Sequence, residues 1–144
     1  MTLRLPTGEV TVLLGEPVVR RRLMDMLDDA TGTAESGAPV SVRRVTAEAA
    51  EGVATRRRRL EDAGGAAIVL VDRVTAGLDA TGRRAVLGAL TTVAARGAAV
   101  LVDDDDCVAA LALADGSLRA DPVRGIVLEP AGAVPLLEEL YRAS

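Results

Sequence analysis

Asp72 closes the apolar run Ile68-Val69-Leu70-Val71. Such a run reads as a buried strand that delivers a carboxylate to its C-terminal tip, where an acid can hold Mg²⁺ through water beside a phosphate. Thr75-Ala76-Gly77-Leu78-Asp79 follows; Gly77 suits a turn and Asp79 is placed to cap a helix. Arg73, next to the strand-tip acid, opposes a cation there and leaves no general base at that point. A second acidic run, Asp103–Asp106, ends the apolar stretch Ala98–Val102. Four acids there could bind a divalent cation, with self-repulsion raising some of their pKa values, although capping of the next helix is their more frequent use. The third candidate is Gly15-Glu16-Pro17-Val18-Val19-Arg20-Arg21-Arg22. Gly15 permits close backbone approach, and Arg20, Arg21 and Arg22 at a helix N-terminus could attract an anion. The ordinary reading of the three arginines is a solvated basic face.

Much other chemistry is excluded. The chain has no histidine and no lysine, and all 17 of its basic residues are arginine. Ser/His/Asp and Cys/His catalysis are therefore impossible, and Cys107 has neither residue beside it to activate a thiolate. The net charge of −4 argues against general nucleic-acid binding. With Tyr141 as the sole aromatic residue, stacking on single strands is also unexpected. No apolar run approaches a membrane span, and the N-terminus lacks a signal-like apolar region. A cytoplasmic protein of one domain over residues 1–144, without direct membrane insertion, is the expectation.

Several elements must position these residues. Thr2–Leu5 and Val10–Leu14 read as short strands around the turn Pro6-Thr7-Gly8-Glu9. Helical spacing of Val19, Leu23, Met26 and Leu27 predicts a helix from Val18 to Asp29. Residues 30–39 read as a small-residue loop and Val40–Val45 as a short strand. Thr46 resembles the cap of a helix running to about Ala63, ended by Gly64-Gly65. Arg56–Arg59 on that helix point in four directions, so a solvated helix is expected rather than one patch. Ala66–Val71 is the buried strand. A helix from Ala80 to Arg96 buries Val86, Leu87, Leu90, Val93 and Ala94 and stops at Gly97. Ala98–Val102, a short helix Cys107–Ala114, paired edge strands Ser117–Ala120 and Gly125–Leu128, and a helix from Gly132 to Arg142 complete the chain. Strands alternating with helices predict an α/β fold with a mostly parallel, doubly wound sheet.

In this order the segments resemble the ATPase domain of ATP-binding cassette (ABC) transporters, within the P-loop NTPase superfamily. Gly8–Gly15 is similar to the strand entering the family's phosphate loop, and Ile68–Asp79 to its Walker B strand and D-loop. The match runs on through Ala80-Thr81-Gly82-Arg83-Arg84. Gly97–Val102 resembles the strand before the switch histidine, and Ala109–Asp115 the stretch after it. The resemblance covers residues 2–29 and 66–128.

The departures from that pattern are systematic. Arg21 stands at the phosphate-loop lysine, Arg22 at its hydroxyl residue, Arg73 at the catalytic glutamate and Asp104 at the switch histidine. The chain has no glutamine for a Q-loop. The stretch between Gly15 and Asp72 is too short for the family's helical subdomain. The resemblance therefore implies a degenerate domain that does not hydrolyse ATP and needs no cofactor. It would act by protein–protein contact, through self-association or docking on an ATPase or transport partner, with Thr75, Gly77 and Asp79 in the contact region. The alternative is a weak ATP-binding or ATPase subunit of an ABC-type transporter, with Gly15, Arg20, Arg21, Arg22 and Asp72 forming an anion or nucleotide site. ATP and Mg²⁺ would then be its ligands.

Overall fold

The apolar runs become parallel strands because helices cover both of their faces. A computed structural model describes residues 5–29, 32–33, 39–121 and 125–130. In chain order these form β1 (Val10–Gly15), α1 (Pro17–Asp29), β2 (Gly32–Thr33), β3 (Pro39–Val40), β4 (Val42–Thr46) and α2 (Val53–Ala63). There follow β5 (Ile68–Asp72), α3 (Ala80–Ala95), β6 (Ala99–Asp103), α4 (Cys107–Leu113), β7 (Gly116–Asp121) and β8 (Gly125–Pro130). The main sheet has the order β4-β5-β6-β1-β7-β8. Its first five strands are parallel, and only β8 runs antiparallel, to β7.

Side-chain alternation divides the core between the two faces of this sheet. Val10, Val12, Val69, Val71, Val100 and Val102 meet Leu60 of α2, Val86, Leu87, Leu90 and Val93 of α3 and Ala110 of α4. On the other face Leu13, Leu70, Leu101 and Leu118 pack with Leu23 and Met24 of α1. Burial on both faces explains why the central strands are almost uninterrupted aliphatic runs. At about 25 cal/mol per Å² of apolar surface, each fully buried Leu or Val contributes roughly 1.5–3 kcal/mol.

The structure corrects four expectations. Thr46 does not open a helix: it is the last residue of β4, and α2 begins only at Val53. Between them lies a turn closed by Glu51 N–H to Glu48 O at 3.0 Å and by Glu48 N–H to the Glu51 carboxylate at 2.6 Å. Gly52, in extended conformation, precedes α2 without a side-chain cap. Within the expected loop 30–39, Gly32 and Thr33 pair with Val40 and Pro39 as β2 and β3. The strand expected over Val40–Val45 is divided at Ser41 between β3 and β4. Finally, β7 is not an edge strand, because β1 occupies its other side. The strand expected over Thr2–Leu5, apart from Leu5, and the helix over 132–142 lie outside the described residues.

Parallel strands end on the same side of a sheet. The register aligns Thr46 with Asp72, and Asp72 with Asp103. Three polar residues thus share one rung at the C-terminal edge, beside Gly15 and the start of α1.

Candidate functional site at the C-terminal edge of the sheet

Asp72 is 4% exposed, and its carboxylate is already occupied by the protein's own groups. Arg44, two residues before Thr46 on the neighbouring strand, donates from Nη2 at 2.9 Å and from Nε at 3.2 Å, both to Oδ2. The Thr46 hydroxyl donates to the same oxygen at 3.2 Å. Arg73 Nε binds Oδ1 at 2.9 Å. Burial pushes the Asp72 carboxyl up, but hydrogen bonds and charge from Arg73 and Arg44 outweigh it and hold the group below the usual carboxylate range. Arg44 also reaches back to α1, pairing Asp25 at 2.7 Å and Asp28 at 3.5 Å. Arg73 takes φ 50°, a left-handed conformation unfavourable for a side chain of its size, and its N–H binds Asp103 O at 2.7 Å.

Arg20 is buried as well. Its Nη1 lies 3.3 Å from Asp103 Oδ1 and donates to Asp104 O at 3.3 Å, while Nε has no hydrogen-bond partner among the described residues. Burial raises the Asp103 carboxyl above its ordinary value; Arg20 opposes this, and the charges of Asp72 and Asp105 reinforce it. Arg21 and Arg22 are exposed on α1 and do not join Arg20. Helix α1 starts at Pro17, so the Arg20 N–H is spent on Glu16 O at 2.9 Å within the helix. Gly15 has φ 122°, and a Cβ there would lie 2.5 Å from Ala120 O, so this glycine is fixed by the approach of β7. Of the five residues expected at an anion site, the structure brings Arg20 and Asp72 to the same edge through Asp103. Arg21 and Arg22 face solvent.

The turn after Asp72 is held from two sides. Thr75 is buried, donating its hydroxyl to Asp104 Oδ1 at 2.5 Å and its N–H to Asp104 Oδ2 at 3.3 Å. Gly77, at φ 77°, and Asp79 are exposed. Asp79 Oδ1 accepts from Gly82 N–H at 2.7 Å as the cap of α3. Within the acidic run, Asp106 caps α4 by accepting from Ala109 N–H, while Asp104 is fully buried against Thr75. Among the described residues no three potential ligands converge to hold a metal ion.

Sequence reasoning missed two residues. Arg44 could have been found by aligning β4 with β5, since Thr46 opposite Asp72 places Arg44 on the same face one step back. Arg56 was expected to be solvated with its neighbours, and Arg57 and Arg58 are indeed exposed. Arg56 itself is only 2% exposed and binds four backbone carbonyls. Nothing local in an arginine run distinguishes that one.

The sequence matches no protein-family profile and no characterised protein. The fold, in contrast, is that of ATP-binding cassette subunits. The chain superimposes on an ATP-binding subunit of an ABC transporter with TM-score 0.62 at 12% identity, covering 98% of this chain and 90% of that one. For cbiO1 of Clostridium perfringens, part of the transporter complex cbiONQ, the TM-score is 0.63 at 14% identity over 99% of this chain and 85% of the other. A nucleotide-free ATP-binding cassette gives 0.66 at 10% identity over 95% and 86%. Against the RNase-L inhibitor the chain spans 38% of the other protein's length. Among the described residues no helix is long and apolar enough to cross a membrane.

Proposed function

We propose that this chain is a degenerate cassette domain, reduced by loss of the helical subdomain, that does not hydrolyse ATP and works by protein–protein contact. The observation that carries the reading is the occupation of Asp72. Two guanidinium groups and a hydroxyl take the positions around its carboxylate that a hydrated cation would need. Arg20, buried on α1, supports it by pairing Asp103 at the tip of the neighbouring strand β6. The turn Thr75–Asp79 keeps an ordered shape beside this neutralised edge, and its exposed residues Ala76, Gly77 and Asp79 are the proposed contact surface. The partner is a second copy of the chain or an intact ATPase or transport subunit.

Titration calorimetry with Mg·ATP is the first test, with no heat and no thermal shift expected. Sedimentation velocity of the purified chain is the second: concentration-dependent association is expected, weakened by Ala76→Arg. ATP hydrolysis that disappears on Asp72→Ala would overturn the reading. The same titration decides the second reading, a weak nucleotide-binding subunit. That reading is favoured only by the two exposed cations Arg21 and Arg22 near the start of α1.

A further inference from the structure

A half-open cavity of about 180 Å³ lies at the N-terminal edge of the sheet, where β1 and β7 begin and α3 and α4 end. Its floor is Val10 and Ala94, both buried, with half-buried Leu113 as a wall and Gly8, Thr91 and Asp115 on the exposed rim. Asp115 is fixed to β1 twice: its N–H donates to Val10 O at 2.8 Å, and its Oδ2 accepts the Val10 N–H at 2.9 Å. The fold thus spends one carboxylate oxygen and leaves Oδ1. No arginine of the described residues pairs with this acid. Helix α3 has no basic residue in its last turn, Thr92–Ala95, and neither has α4, so both carbonyl ends add negative potential here. Arg96, just past α3, is turned to α2, with Nη1 on Glu61 O at 3.5 Å. Gly8 keeps the mouth clear: a Cβ there would stand 3.7 Å from Ala94 O.

A negative rim over an apolar floor suits a cation with an aliphatic body. A metal ion would find one carboxylate and, among the described residues, no cluster of further ligands. We propose that this cavity binds a primary alkylammonium group, its nitrogen on Asp115 Oδ1 and the Thr91 hydroxyl, its chain against Val10, Ala94 and Leu113. At roughly 30 Å³ per water-sized group the space holds about six non-hydrogen atoms, and a butylammonium ion fits within that. The group comes from a free amine or from the tip of a lysine on another protein. A second copy cannot supply the lysine, since this chain has none. The proposal is independent of the contact reading, whose surface lies at the other end of the strands.

Titration of the isotope-labelled full chain with n-butylammonium, followed by amide chemical shifts, tests this. Saturable shifts are expected at Val10, Ala95, Leu113 and Asp115, with a Kd of about 1 mM, the range open to so small a ligand. Asp115→Asn keeps an oxygen for the Val10 N–H but loses the charge, and should weaken binding about fivefold or more. Ala95→Leu, at the exposed mouth, fills the space without touching the acid and should abolish binding. n-Butanol, of matching length and no charge, should bind about fivefold more weakly or worse. An Nα-acetyl-lysine amide separates the sources: binding as tight as the amine's assigns the cavity to a protein lysine, and weaker binding to a free amine. Absence of saturable shifts up to tens of millimolar overturns the proposal. So does unchanged affinity in Asp115→Asn or Ala95→Leu, or equal binding of butanol. If Asp115→Asn does not fold, the butanol comparison on wild type decides the role of charge.

Discussion

An arginine stays protonated across the whole accessible pH range, so the cluster around Asp72 titrates only through its acids. The depressed Asp72 carboxyl contributes stability that is complete above its unfolded value of about 3.9 and is lost as pH falls through the lower folded value. Asp103 acts in the opposite sense. Its raised folded value means the native state takes up that proton first, which partly offsets the acid loss. Urea unfolding followed from pH 6 to pH 3, a range of about three units around these values, should show the midpoint falling. Asp72→Asn should flatten that decline. At neutral pH, Arg44→Met should cost about 2–3 kcal/mol in the same assay, since it removes two charged hydrogen bonds from a buried acid. A loss under about 0.5 kcal/mol, the range of ordinary surface changes, would mean that Arg73 and Thr46 satisfy Asp72 without it.

Periodic, locally capped elements were legible in the sequence: α1, α3, β5 and β6 lie close to where apolar spacing predicts them. The start of α2 was not, because Thr46 has the composition of a cap but spends its hydroxyl on an acid 26 residues away. The same physics hid half of the candidate site. Arg44 and Arg56 act through long side chains on partners in distant segments, and only the register of β4 on β5 and the packing of α2 reveal them. Asp79 was readable as a cap, and Asp79→Ala should cost about 1 kcal/mol, measured by thermal or urea unfolding. Asp79→Ser should recover most of that stability. If association falls in both variants alike, Asp79 also touches the partner; if association returns with the serine, its part is confined to the helix. Gly15 provides a sharper test of strand spacing. Gly15→Ala forces a Cβ against the backbone of β7 at positive φ and should cost about 3 kcal/mol.

For the molecule as a whole, the fold is that of ATP-binding cassette subunits, and the acid at the C-terminal edge of its sheet is paired by the chain's own arginines. Fold likeness at 10–14% identity says nothing about chemistry; the two guanidinium groups on Asp72 make the functional argument. Strand β4 has β5 on one side and, among the described residues, no strand on the other. An open margin of this kind can template stacking of one molecule on the next. Here the strand's two arginines guard it: Arg43 stands exposed, its guanidinium on Asp62 O at 3.4 Å, and Arg44 turns inward to Asp72. The side chain that occupies Asp72 thus also puts a half-buried charge on an edge strand. Ridding the edge of both cations, as in an Arg43→Val, Arg44→Val double variant, should turn a dispersed protein into one that scatters light on gentle warming.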